Sequence, residues 1–174
     1  MIQLMKQFIL LVLFSVSLLG CKDTRPKDGK FHIVTTTSMI TDLVQNIGGE
    51  KVAVQGLMGA GVDPHLYKAS EGDVSKLSNA NMIIYSGLHL EGKLVEVFEK
   101  MKRQKIKTIA VSDALDKKEL IGSTLFASNY DPHIWFDVKN WEQITIYVEK
   151  QLSEALPEHK EYFKANAAIY LEKL

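Results

Sequence analysis

One tripeptide occurs twice in the chain, as Asp63-Pro64-His65 and as Asp131-Pro132-His133, and it brings together the side chains a metal ion needs. A neutral imidazole is a common ligand for zinc and its neighbours. The proline restricts the backbone ahead of it. The aspartate can orient an imidazole or a loop amide, the outer support that keeps a ligating histidine in one tautomer. Gly59 and Gly61 precede the first copy and let its loop turn tightly, so one of them is expected in a conformation that a side chain would strain. Behind the second copy come Ile134, Trp135 and Phe136, an apolar patch suited to excluding water, with Trp135 and Phe136 expected in the core rather than facing a ligand. Each copy alone has an ordinary reading, because Asp-Pro is a common turn former and a histidine after it is usually just exposed. Two copies at matching loop ends favour a shared metal site, with His65 and His133 as candidate ligands and Asp63 and Asp131 behind them.

Positioning these loops requires a framework, and the apolar pattern supplies one. Phe31 to Thr36 is short and β-branched, and Ile40, Leu43, Val44 and Ile47 then follow at helical spacing before Gly48-Gly49, a natural stop. Val52 to Leu57 is the next strand. Ser70 and Asp73 have the spacing of a capping box for a short helix containing Val74 and Leu77. Met82 to Tyr85 and Ile106 to Val111 are the third and fourth strands, separated by the stripe Leu94, Val95, Phe98 and Met101. Asp137 is placed to cap a helix containing Val138, Trp141, Ile144, Thr145, Val148 and Leu152. A last helix starts near Pro157 and runs through Tyr162, Phe163, Tyr170, Leu171 and Leu174, and the chain stops while it is still running. Strands alternating with helices predict an α/β fold with a parallel four-stranded sheet flanked by helices. In such a sheet ligands bind outside the carboxyl ends of the strands, where both Asp-Pro-His loops fall.

The N-terminus reads as an export signal. Lys6 precedes an apolar run from Phe8 to Leu19, too short to span a bilayer comfortably, and the run ends in Leu18-Leu19-Gly20-Cys21. That ending resembles a bacterial lipobox and implies cleavage before Cys21 and lipidation of its sulfur. Cys21 is the one cysteine, which excludes an internal disulfide and any multi-cysteine metal cluster. Lys and Arg total 21 against 21 Asp and Glu, so no basic excess points to nucleic acid or to a polybasic membrane patch. The expected division is a signal peptide over 1–20, a lipidated tether over 21–30, a lobe over 31–156, and the start of a connecting helix over 157–174.

Four segments, TTTSMITDLV, GAGVDPHLYKASEGDV, GLHLEGK and DPHIWFDVKNW, occur in the order and spacing of the solute-binding lipoproteins of zinc and manganese ABC importers, and the chain resembles that family from about Phe31 onward. The resemblance implies the N-terminal lobe of a two-lobed metal-binding protein, with His65 and His133 as ligands. It implies two further ligands, a His or Glu and then an Asp, from a second lobe beyond the connecting helix. It also implies that Zn2+ or Mn2+ is cargo, that an ABC permease is the partner, and that the protein is a monomer in the bacterial cell envelope, lipid-anchored to the outer face of a membrane or in the periplasm. Some zinc-binding relatives carry a histidine-rich loop before the second motif, and the segment from Ser112 to Tyr130 has none, which leans toward manganese or mixed use.

The other histidines are weaker candidates. His89 follows the third strand at the same sheet edge and is expected behind the ligands or in a structural role. His32 and His159 are read as structural or exposed, without partners. Glu91 is a conceivable carboxylate near the site, or simply a helix N-terminal residue. With it, His65 and His133 could form the three-ligand site of an exported metal-dependent hydrolase. A metal-free surface adhesin or structural lipoprotein is the remaining alternative.

Overall fold

The computed structural model describes residues 28–174, so the readings of the leader, of Cys21 and of most of the tether lie outside the described residues. Four strands form one sheet: β1 (Phe31–Thr35), β2 (Val52–Gly56), β3 (Met82–Tyr85) and β4 (Lys107–Ala110). Their order is β2-β1-β3-β4 and every pairing is parallel. All four carboxyl ends therefore reach the same edge, and the expected α/β architecture is the observed one.

The two faces of the sheet are sorted by the period of two along each strand. Ile33 of β1 with Met82 and Ile84 of β3 faces one core, whereas Val34 and Ile83 face the other. On the first face pack α1 (Ser38–Gly48), α4 (Val138–Ala155) and α5 (Lys160–Leu171); on the second pack α2 (Glu71–Asn79) and α3 (Val95–Arg103). Ile40, Leu43, Val44 and Ile47 of α1 are all buried, each contributing about 1.5–3 kcal/mol through removal from water. Gly49 ends α1 at φ 51°, a left-handed value that glycine adopts without a Cβ clash. Ser70 and Asp73 form the expected capping box at α2, and the Asp137 side chain accepts from the Lys139 amide at α4.

Three elements differ from expectation. Strand β4 ends at Ala110 because Val111–Ala114 is a 3₁₀ turn. Val95 lies on the outer side of α3, since Leu94, Phe98 and Met101 make one stripe and Val95 falls one position off it. The last helix begins at Lys160, after Pro157–His159 form a separate 3₁₀ turn. Phe163 and Ala167 anchor α5 to the first core, and Asn166 donates to the Ile47 carbonyl of α1 at 3.0 Å. Among the described residues no helix is long and apolar enough to cross a membrane.

Candidate metal site

The two Asp-Pro-His copies belong to a longer local unit. Gly61 lies two residues before Asp63 with φ 78°, and Asn129 lies two residues before Asp131 with φ 62°. Glycine and asparagine are the residues that take left-handed backbone most readily. In both copies the aspartate Oδ1 accepts from the backbone amide of the histidine, at 2.8 Å for His65 and 3.0 Å for His133. The chain reverses at the left-handed residue, the carboxylate closes a turn across the proline, and the imidazole projects from the far side.

Each unit is tied down by its own part of the fold. Leu57 and Met58 donate to the carbonyls of Thr35 and Thr36 at 2.9 and 3.0 Å, carrying the β2–β1 pairing into the first loop. Beyond His65, the Tyr67 hydroxyl donates to Asp73 of α2 at 2.9 Å. Burial pushes the Asp73 carboxyl up, but donors from Ser70, Tyr67 and Lys76 outweigh it and hold the group at about 2. Burial, with the adjacent Asp73 acceptor, pushes the Tyr67 hydroxyl up to about 12. The second loop folds on itself instead. Gly122 and Tyr130 pair as an antiparallel bridge, Ser123 donates to Asn129 at 2.9 Å, and Asp131 donates to Ile121 at 2.8 Å. The tip of this finger carries Phe126.

The loops meet at the histidines. His65 Nε2 and His133 Nε2 are 3.3 Å apart. Asp131 Oδ1 also reaches His133 Nδ1 at 2.6 Å. The amide of His133, and then its ring, hold the Asp131 carboxyl below its ordinary value. An ionised carboxylate can only accept, so the network assigns the His133 proton to Nδ1 and leaves the Nε2 lone pair facing His65. Asp63 has no hydrogen bond to the ring of His65; that ring is instead stacked on Phe126, with centroids 6.1 Å apart and 16° between planes. Two nitrogens at about 2.0–2.1 Å from one zinc ion at a tetrahedral angle lie about 3.3–3.4 Å from each other, so the pair is spaced to share an ion.

The other expected residues fall elsewhere. Trp135 is half-buried and sets its ring at 70° to His133, with centroids 5.2 Å apart. Phe136 is 80% exposed, contrary to the core position expected for it. In the 3₁₀ turn Ile134–Phe136 only Ile134 faces inward, and Phe136 is carried round to solvent. His89 is exposed in a left-handed stretch, Gly87-Leu88-His89, and among the described residues its ring makes no hydrogen bond to either site histidine. Gly87 is needed there, because a Cβ would collide with Ser112 and come within 2.9 Å of the Ala110 Cβ.

Glu91 is 2% exposed and does not join the histidines as a third ligand. Its carboxylate accepts from the Thr36 hydroxyl at 2.6 Å and from the amides of Ser86 and Gly87 at 2.8 and 3.3 Å, pinning the end of β1 to the loop after β3. Burial pushes this carboxyl up. His32, expected without a partner, pairs with Asp28 at 2.7 Å, and His159 sets its ring edge on Phe163. Among the described residues no group of three or more His, Cys, Asp or Glu converges.

Sequence reasoning passed over Asn129 and Phe126. Aligning Asn129-Tyr130-Asp131-Pro132-His133 with Gly61-Val62-Asp63-Pro64-His65 would have exposed Asn129. Phe126 carries no local signal, because the ring it stacks on, His65, comes from the other loop.

Fold and site together define an α/β lobe that presents a pair of imidazoles at the carboxyl edge of its sheet. The same lobe is found in the periplasmic zinc-binding protein TroA of Treponema pallidum, with a TM-score of 0.78 and 42% identity over 83% of this chain and 51% of that one. A Mn-bound periplasmic metal-binding protein of Candidatus Liberibacter asiaticus matches with a TM-score of 0.74 and 32% identity, over 83% of this chain and 53% of that one. In sequence, the manganese-binding lipoprotein MntA of Bacillus subtilis is 45% identical over 94% of this chain and 54% of its own length. The profile of the family described as zinc-uptake complex component A, periplasmic, matches residues 33–174, and the chain belongs to that family. It spans about half the length of the curated relatives it matches.

Proposed function

We propose that this chain captures a divalent transition metal, Zn2+ or Mn2+, outside the cytoplasm and passes it to the permease of an ABC importer, with His65 and His133 as its ligands. The observation that carries this reading is the 3.3 Å approach of the two Nε2 atoms from loops on separate strands. His133 is held ready to ligate, since Asp131 fixes its tautomer. His65 has no such carboxylate on its ring and is oriented by stacking on Phe126. Phe126 and Trp135 flank the pair and limit water around it. Asp63 supports the first loop through the backbone. His89 is retained as a more distant supporting residue at the same edge.

The relatives' names support both metals: MntA is called manganese-binding and TroA zinc-binding. Two imidazoles leave most of an ion's coordination to other donors, which on this reading lie in a second lobe beyond the connecting segment 157–174. Residues 1–20 are then the signal peptide, Cys21 the lipidated residue that ties the protein to the outer face of the membrane, 21–30 the tether and 31–156 the metal-binding lobe. The role is capture and delivery rather than catalysis. A hydrolase would need a third ligand, and both Glu91 oxygens already serve Thr36, Ser86 and Gly87.

Calorimetric titration with zinc and with manganese, together with ester and phosphoester turnover assays, tests the proposal. Metal binding that is lost in His65→Ala and in His133→Ala, without turnover, is the expected result. Binding that survives both substitutions, or metal-dependent hydrolysis, overturns it.

A further inference from the structure

The buried carboxylate of Glu91 sits on three neutral donors: the Thr36 hydroxyl at 2.6 Å and the amides of Ser86 and Gly87 at 2.8 and 3.3 Å. Taking a carboxylate out of water is costly, and an apolar side chain of similar size would be more stable at a position that only had to be filled. The loop it holds is strained as well. Gly87, Leu88 and His89 all have left-handed backbone, at φ 87°, 49° and 64°, and two of the three lack glycine's freedom there. Such stretches persist only where the surroundings over-determine them, and they gather at functional sites. The next hydrogen bonds show what the arrangement achieves. The Thr36 carbonyl accepts from Met58 at 3.0 Å, at the root of the loop that carries His65. The Ser86 carbonyl accepts from Ser112 at 3.1 Å, at the root of the segment leading from β4 to His133. Leu88, half-buried at the bend, packs against the core that holds Leu115 and Ile134 and on which Trp135 also rests. Trp135 in turn lies against the His133 ring. Glu91 is thus one residue removed from the root of each histidine loop, while its partners include neither imidazole.

We propose that Glu91 is a positioning residue for the metal pair, setting the separation of His65 and His133 by clamping together the ends of β1 and β3, to which the roots of both loops are bonded. The inference rests on the reading of His65 and His133 as metal ligands, and it adds a residue that no ion touches. Zinc affinity then depends on the clamp as well as on the two rings. Thr36 is the clamp's one side-chain donor, so it can be loosened there without disturbing the carboxylate itself.

Calorimetric zinc titration of the full chain and its variants, with nuclear magnetic resonance of the metal-free forms, tests this. Glu91→Ala empties the clamp and should weaken zinc binding by about 10–100-fold, the range for loss of a residue that supports a ligand from behind. Glu91→Gln keeps an oxygen for Thr36 and Ser86 but turns an amide nitrogen toward Gly87, so its loss should be smaller. Thr36→Val removes the hydroxyl at nearly constant shape and should weaken binding several-fold, and Thr36→Ser should restore it. The ring-to-ring contact between His65 and His133 should fade in Glu91→Ala and Thr36→Val and return in Thr36→Ser. Ile47→Val, a buried change at the far end of α1, is the control for lost stability alone and should leave both affinity and ring contact intact. If Glu91→Ala does not fold, Glu91→Gln and the Thr36 pair carry the test. Wild-type affinity and ring contact in folded Glu91→Gln and Thr36→Val, or equal losses in Ile47→Val, would make Glu91 a purely structural pin and overturn the proposal while the metal reading stands. If zinc binds the His65→Ala, His133→Ala double variant as well as the wild type, the metal reading falls and the positioning role falls with it.

Discussion

The loops around His65 and His133 share five positions of local design and differ in what the aspartate does. In both, a left-handed residue, a proline and an Asp carboxylate on the histidine amide shape the turn. Asp131 uses the same oxygen to hold the His133 ring as well, whereas Asp63 stops at the backbone and His65 rests on Phe126. One imidazole is held by a carboxylate at its ring nitrogen; the other is fixed mainly by packing against Phe126. On the proposed reading, the pair is a metal grip with one rigid jaw and one adjustable one. Local sequence identity thus does not guarantee identical chemistry, because the deciding contact depends on ring orientation, which distant neighbours set.

The sharpest way to break the comparison is to remove one jaw at a time. His65→Ala and His133→Ala should each lower zinc affinity by more than about 100-fold, beyond what loss of an outer partner costs, as read by calorimetry. Equal and small effects would mean that neither ring is a ligand.

The aspartates should separate the loops next. Asp131→Ala is expected to cost about 10–100-fold in affinity, because the His133 ring loses its orienting acceptor, and Asp63→Ala less than about tenfold. In nuclear magnetic resonance spectra of the metal-free protein, the His133 ring should show the Nδ1-protonated tautomer in the wild type and a mixture in Asp131→Ala. If the two aspartates cost the same, the rigid and adjustable distinction is wrong.

The left-handed positions test what the loops share. Gly61→Val should destabilise by about 1–2 kcal/mol, since a Cβ at φ 78° is strained, and Asn129→Ala by a smaller amount of the same origin. Gly59 is not among the positive-φ glycines and a Cβ there meets nothing within 4 Å, so Gly59→Val should stay within about 0.5 kcal/mol in thermal unfolding. A larger cost at Gly59 than at Gly61 would contradict the backbone assignment.

A more local effect concerns the latch behind the first loop alone. Asp73 sits at about 2 in the folded protein against an ordinary 3.8, so it binds fewer protons folded than unfolded between those values. Its contribution is complete above the ordinary value and is lost as pH falls through about 2. Ser70→Ala, which removes the cap, should cost about 1 kcal/mol at neutral pH and flatten this acid dependence. An unchanged acid profile in Ser70→Ala would show that the cap does not hold the Asp73 charge.

Much of this protein was legible in its residues. Period-two and helical patterns placed all four strands and the main helices, because Ile33, Val34 and Ile83 must choose faces and Ile40 to Ile47 must share one. The Asp-Pro-His repeat pointed to the correct pair of histidines as neighbours, because parallel strands deliver their following loops to one edge. Phe136 was misplaced, since hydrophobicity alone does not say which way a single 3₁₀ turn will face. Glu91 could not be read either: its sequence position suited a ligand or a helix start, and only the meeting of Thr36, Ser86 and Gly87 made it a buried pin. The sequence by itself determined the elements, their turn chemistry and the two imidazoles, since those follow from local sterics and from the period of burial. Tertiary structure alone decided that the Nε2 atoms stand 3.3 Å apart, that Asp131 orients its ring while Asp63 does not, and that Phe126 reaches across to His65. Each of these is a contact between segments distant in the chain or a choice of ring orientation. Neither is encoded by spacing, because both depend on where the packed sheet places one loop against another.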